Sequence, residues 1–205
     1  MKEFLFALLV LFSLASNAQT MKDSFDSNIQ GWTEISSKDG EAVIKDGVMH
    51  IEGKKDGGTN LLFGTKTEPS FIETHCFAGF DPKKDFEIKC KALVKKVDDN
   101  NTFGLILNYI DEGNYIVFVI QEGEARLLRY QDYELVGRIR NQLKLKEQKK
   151  ASIDLSVKSS FQKLQFFVNG MLAIESRYLP LTSSGVGFYV CGQQKIDFDD
   201  FEIIK

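Results

Sequence analysis

The chain has 205 residues, 43% hydrophobic and 27% charged, a composition that excludes a disordered or collagen-like polypeptide. Its 26 basic residues against 29 acidic ones give a net charge of -3, so no positive field of the kind that draws nucleic acid is expected. With 16 glycines and 3 prolines it is not a low-complexity chain either.

At the front, Lys2 precedes Phe4–Leu14, a run that is apolar apart from Ser13, and Ser16-Asn17-Ala18 places small residues where a signal peptidase reads. A bilayer core needs about 20 apolar residues, more than this run supplies. Residues 1–18 therefore read as a secretory signal peptide. Residues 19–205 read as a single domain with no membrane span in the mature protein, placed in a periplasmic or extracellular space. Export makes the cysteines relevant. Cys76, Cys90 and Cys191 are an odd set, so at most one internal disulfide forms. Cys90 alternates with Phe86 and Ile88, which puts it on an inward strand face. Buried free thiols are the expectation, with a Cys76–Cys90 bridge as the alternative.

The body shows alternation and short β-branched or aromatic runs rather than a 3.6-residue period. Glu41–Lys45 and Val48–Glu52 come first, separated by Asp46-Gly47, a two-residue hairpin signal. Asn60–Phe63, Phe86–Val94, Thr102–Tyr109 and Tyr115–Gln121 follow, the last two joined across Asp111-Glu112-Gly113-Asn114. Glu122-Gly123 leads into Ala125–Tyr130, and Glu134–Ile139 comes next. From Tyr133 to Lys150 the spacing of Leu135, Ile139, Leu143 and Leu145 is also loosely compatible with a helix. The series ends with Ala151–Lys158, Lys163–Asn169, Met171–Ser176, Gly185–Val190 and Lys195–Ile203, where Asn169-Gly170 marks another hairpin. Consecutive strands joined by short turns pair antiparallel. The fold class is all-β, a single antiparallel sandwich.

Five stretches in order carry a family pattern: Phe25-Asp26 leading to Gly31-Trp32; Phe103-Gly104-Leu105 with Asn114-Tyr115; Phe167-Val168-Asn169-Gly170; Gly185-Val186-Gly187-Phe188; and Phe198-Asp199-Asp200-Phe201. Together they resemble the concanavalin A-like lectin/glucanase superfamily, especially its secreted bacterial laminin-G-like and 3-keto-disaccharide-hydrolase-like members. The resemblance implies a jelly roll of two curved sheets whose concave face often holds carbohydrate. Within it, Gly31-Trp32 falls in the structural part, so Trp32 is expected in the core.

Glucanases of that superfamily carry Glu, any residue, Asp, two residues, then Glu on one strand. The local echo is Asp197, Asp199 and Glu202. The apolar phase there shifts from even (Ile196, Phe198) to odd (Phe201, Ile203), which a bulge at Asp199-Asp200 explains. The echo ends the protein rather than lying mid-chain, and an edge or closing strand with a solvated acidic side is the competing reading. Jelly rolls of the family this chain resembles often hold a calcium beside the last strand, for which Asp199 with Asp23 or Asp26 are the candidate oxygen donors here; the competing expectation is plain surface carboxylates and no cofactor. His50 reads as a strand residue and His75 as part of a loop; no nucleophile elbow is present. Lys144, Lys146, Lys149 and Lys150 read as a solvated face, and Asn100-Asn101-Thr102 matches a glycosylation acceptor.

Sugar binding needs aromatic faces flanked by a few fixed polar groups. Asn108, Tyr109, Tyr115, Arg126, Arg129, Tyr130 and Tyr133 supply these on or beside central strands. The two arginines suit an acidic sugar, while the competing role for the tyrosines is to cap the core. The leading expectation is an exported module that binds a glycan or oligosaccharide without catalysis. A glycoside hydrolase and a protein-interaction module are the alternatives.

Overall fold

The structure is a computed structural model that describes residues 20–60, 65–96, 102–143, 152–161, 163–177 and 179–205. The expected signal segment, most of Asn60–Phe63, the Asn100-Asn101 acceptor and the basic stretch from Lys144 to Lys150 lie outside the described residues. Among the described residues no helix is long and apolar enough to cross a membrane.

The strands in chain order begin with β1 (Thr20–Asp23), β2 (Ile35–Ser36), β3 (Gly40–Lys45), β4 (Val48–Gly53), β5 (Gly58–Asn60) and β6 (Thr65–Thr67). Next come β7 (Phe71–Phe77), β8 (Phe86–Lys96), β9 (Thr102–Asp111), β10 (Asn114–Gln121), β11 (Glu124–Gln131) and β12 (Glu134–Gln142). The last are β13 (Ser152–Ser160), β14 (Lys163–Val168), β15 (Met171–Arg177), β16 (Gly185–Cys191) and β17 (Lys195–Ile204). A nine-stranded sheet runs β15-β14-β13-β8-β17-β4-β3-β2, with β1 also on β17. A six-stranded sheet runs β12-β11-β10-β9-β16-β7, and β5 with β6 makes a small separate ribbon. Within both large sheets the strands pair antiparallel, as in β10 with β9 and β17 with β8.

The turns form where the chemistry of their residues requires. Asp46-Gly47 and Asn169-Gly170 both have positive φ, 53° and 73° in the first pair and 49° and 73° in the second. That is the backbone a type I′ hairpin needs. Asn169 adds a bond, its side-chain oxygen accepting from the Asp154 backbone N–H at 2.9 Å.

The core fills the space between the two sheets with alternate residues of each strand. Phe86, Ile88, Cys90, Ala92 and Val94 come from β8; Phe103, Leu105 and Leu107 come from β9. At one end sits an aromatic knot. Trp32, 2% exposed as expected of a core residue, stacks on Phe188 at 5.1 Å and meets the edge of Phe201 at 5.2 Å. Its indole N–H donates to buried Asp23 at 2.7 Å, while the Phe25 backbone N–H occupies the other carboxylate oxygen at 2.9 Å. A buried carboxylate left without those donors costs more than the bonds are worth.

The expected strand Glu134–Ile139 is present as β12 and runs on to Gln142, because β11 pairs with it along its length; the loose helical spacing over that part is not realised. One expectation about strands is corrected. Lys195–Ile204 is no edge strand: β17 lies inside its sheet between β8 and β4. The expected bulge is present, with the register shifting between Asp199 and Glu202 and Asp200 at φ 50°. It lets Ile196 and Phe198 before it, and Phe201 and Ile203 after it, all reach the core. The three cysteines are free, Cys76 and Cys90 buried and Cys191 partly so. Burial pushes the Cys76 thiol up to about 12, so it remains protonated and packs as a small apolar group.

Candidate functional site

The outward face of an antiparallel sheet in a sandwich normally carries polar residues. The six-stranded sheet departs from this. Its outward positions include Ile106 on β9, Val117 and Val119 on β10, Leu128 on β11 and Tyr189 on β16, which with Tyr109 and Tyr115 form a second buried apolar cluster. Tyr130 packs against its edge.

Distances across the strands show how closely these side chains pack. His75 on β7 stacks on Tyr109 of β9 with ring centroids 3.8 Å apart, although β16 runs between their strands. Two strand spacings are about 10 Å, so the side chains lean inward over the intervening strand. The register explains why they are able to: His75 lies opposite Gly187 and Tyr109 opposite Gly185, so no side chain stands between the rings. A Cβ on Gly187 would sit 2.1 Å from the Thr74 carbonyl oxygen, which makes glycine a requirement there. From Tyr109 the aromatic row continues to Tyr115 at 6.0 Å and on to Tyr130 at 5.0 Å. Exposed Phe77 and Phe71 flank it, Phe71 meeting the edge of Tyr189 at 5.1 Å.

Under this aromatic row lies a carboxyl group. Glu73 points outward from β7, opposite Tyr189. Burial pushes its carboxyl up to about 7, the charge of Glu112 adds to the rise, and a hydrogen bond donated by the Tyr115 hydroxyl opposes it. Two buried polar atoms here have no partner among the described residues, Glu73 Oε2 and His75 Nδ1. The other imidazole nitrogen lies 3.3 Å from Thr33 Oγ1. Burial depresses the His75 pKa against the opposing pull of Glu112, and so favours the neutral ring. Burial also raises the phenols, Tyr109 to about 12 and Tyr115 and Tyr189 further, so they remain hydroxyl donors.

The residues expected to bind ligand are only partly brought together. Tyr109, Tyr115 and Tyr130 stand together in the aromatic row. Arg126 lies on the same outward face, opposite Val119, and is bound by Glu122, Glu124 and Gln121. Arg129 is opposite Ile116, on the other side of β11, and reaches the mouth of a cavity at the end of the sheet. Asn108 sits at a kink with φ 51° and accepts from the Thr182 and Ser183 backbone N–H groups, which ties the 182–183 loop to β9. Tyr133 is exposed on the turn between β11 and β12. The cavity has a volume of about 220 Å³, lined by Asn108, Asn114, Tyr115, Arg129, Tyr130 and Gln131 among others.

Glu73, His75 and Tyr189 were not among the residues expected. The whole of β7 was absent from the sequence-based strands, and His75 was assigned to a loop. On this strand the large residues Phe71 and Phe77 point outward while Thr74 points into the core. Hydrophobic alternation therefore gives an inverted signal. The strict alternation of Ile72, Thr74 and Cys76 against charged and aromatic neighbours was the available clue.

The acidic echo on β17 lies on the other sheet. Asp197 faces His50 and Lys95, and Glu202 pairs with Lys22 at 3.3 Å. Asp199 Oδ1 accepts from the Asp200 N–H at 2.7 Å, and Asp26 accepts from the Ser24 hydroxyl. Asp23 is committed to Trp32 and Phe25. Among the described residues, the His, Cys, Asp and Glu ligand atoms that gather in a group of three within 4.8 Å belong to Glu41, His50 and Glu52, a set that does not include Asp199.

No family model matches the sequence, and no curated protein does. Solved structures do match in fold. The carbohydrate recognition domain of Emp47p superposes with a TM-score of 0.61 at 10% identity, covering 93% of this chain and 96% of that one. An endo-beta-1,3-glucanase from Pyrococcus furiosus gives 0.61 at 12% identity, covering 93% and 96%. Carbohydrate binding module CBM66 from Bacillus subtilis gives 0.55 at 11% identity, covering 87% and 98%. The fold is the concanavalin A-like jelly roll.

Proposed function

We propose that this concanavalin A-like jelly roll is an exported module that binds a glycan or oligosaccharide on the hollow outer face of its six-stranded sheet. The observation that carries the reading is the aromatic surface of half-buried Tyr130 and His75 with exposed Phe71 and Phe77, backed by the buried Tyr109 and Tyr115, on a face that would otherwise be polar. Aromatic faces take the apolar side of a sugar ring, and neighbouring hydroxyl, carboxyl and imidazole groups bond its hydroxyls. Glu73 Oε2 and His75 Nδ1, buried without partners among the described residues, are the polar groups that a ligand hydroxyl or a bridging water would satisfy. Solved structures that share the fold include a carbohydrate recognition domain and a carbohydrate binding module, which agrees with this reading. The calcium expected at Asp199 forms no part of this reading; of its expected donors, Asp23 already accepts one N–H on each carboxylate oxygen.

A second reading, glycoside hydrolysis, rests on the placement of Glu73 beneath the aromatic row with Oε2 buried, where burial pushes its carboxyl up to about 7. A carboxyl with a raised pKa is what protonation of a leaving sugar oxygen requires, with a second carboxylate opposite. A glycan array read for both binding and product release separates the two. Binding that falls at least tenfold in Tyr130→Ala, with no product released, supports the module. Product release that disappears in Glu73→Gln supports the enzyme. Silence in both readouts would refute the carbohydrate proposal.

A further inference from the structure

On the outward face of the nine-stranded sheet, away from the aromatic row, three side chains converge from two strands. β3 and β4 pair so that Glu41 lies directly opposite Glu52, and β4 and β17 pair so that His50 lies opposite Asp197. Ligand atoms of Glu41, His50 and Glu52 all lie within 4.8 Å of one another. Like charges directly opposed on a sheet face repel.

The imidazole is already oriented. His50 Nδ1 is 2.6 Å from Asp197 Oδ1, and since a carboxylate only accepts, Nδ1 carries the proton. In the neutral ring the lone pair is then on Nε2, which faces Glu41 Oε1 at 3.9 Å. Two acceptors thus confront each other across a gap too long for a hydrogen bond. Either a second proton or a cation between them resolves that arrangement. A carboxylate that fixes the far nitrogen of a histidine is the support that metal-ligating histidines have.

We infer that Glu41, His50 and Glu52 form a binding site for a divalent transition-metal ion of the zinc class, with Asp197 as the positioning residue. One nitrogen and two carboxylate oxygens suit such an ion, leaving a fourth position for water. Ligand atoms about 2.1 Å from a shared tetrahedral ion stand about 3.4 Å apart, so the gap of 3.9 Å closes with a small side-chain adjustment. Two lysines compete. Lys45 Nζ lies 3.4 Å from Glu41 Oε1 and Lys195 Nζ 2.9 Å from Glu52 Oε1. Both lysines reach solvent over less than half of their side chains, 45% for Lys45 and 42% for Lys195, and ion pairs open to solvent contribute little, so the ion displaces them at modest cost.

The test is calorimetric titration of the chelator-stripped full chain with zinc chloride, followed by cobalt(II) absorption spectra. The expected result is one zinc per chain and the visible bands of tetrahedral cobalt. Both are lost in His50→Gln and Glu52→Gln, and zinc affinity falls about 10–100-fold in Asp197→Asn. The sequence has 2 histidines, so His75→Gln serves as the comparison and retains binding. Thermal melts without metal confirm that each variant is folded, and zinc raises the melting temperature of the parent but not of His50→Gln. The inference is overturned by absence of stoichiometric zinc binding, which means a second proton on Nε2 satisfies the cluster. It is equally overturned if binding survives in His50→Gln or is lost in His75→Gln.

Discussion

Glu73 is the residue whose environment makes the sharpest demand. Burial raises its carboxyl to about 7, well above the value of 4.5 it has in an open chain. The folded protein therefore holds a proton that the unfolded chain has already released. Stability from this group is fully present below about pH 4.5 and is lost as pH rises to about 7, where the folded form also ionises. Glu73→Gln removes the titration, so its melting temperature should fall less between pH 4.5 and 7 than that of the parent. Thermal melts across that range check the point, and parallel curves for the two proteins would contradict it. Trp32 makes the opposite kind of demand. It fills the aromatic knot and donates to Asp23, so Trp32→Ala is expected to cost about 3–5 kcal/mol in urea unfolding.

Among the strands, β16 makes room for the stack. Gly187→Ala would press a methyl group against the Thr74 backbone carbonyl and insert bulk beneath the His75–Tyr109 stack. No rotamer change relieves a clash with backbone, so the cost is at least that of ordinary overpacking, about 1–3 kcal/mol. Urea melts should show that loss of stability, and binding isotherms a loss of glycan binding beside it. At the β14–β15 hairpin, Asn169→Ala loses the bond to the Asp154 N–H and strains a left-handed residue, a cost of about 1–2 kcal/mol. Asn169→Gly should lose less, because it keeps the backbone freedom.

The elements also show where a sequence speaks and where it does not. Asp46-Gly47 and Asn169-Gly170 were readable because positive φ selects those residues locally. The bulge at Asp199-Asp200 was readable because the apolar phase must shift if all four flanking residues are to reach the core. In contrast, β7 was hidden because apolar Phe71 and Phe77 lie on its outward face and polar Thr74 on its inward one, which blurs the alternation. That exchange has meaning only once the neighbouring strands are known. Tyr109, Tyr115 and Tyr130 were legible as aromatic residues on central strands. That His75 crosses a glycine-lined strand to stack on Tyr109 depends on pairing between residues far apart in the chain, which no local pattern encodes.

For the molecule as a whole, the two sheets divide the work. Their inner faces close one core, the outer face of the nine-stranded sheet carries ion pairs, and the outer face of the six-stranded sheet carries the aromatic hollow. The direct measurement is a map of NMR shifts on the protein as a soluble oligosaccharide retained on the glycan array is titrated in. The account predicts shifts at Tyr115, Tyr130, His75 and the Ile106 methyl groups, with Val43 on the opposite sheet unmoved. Shifts centred on Val43 and His50, with the tyrosine row silent, would contradict it.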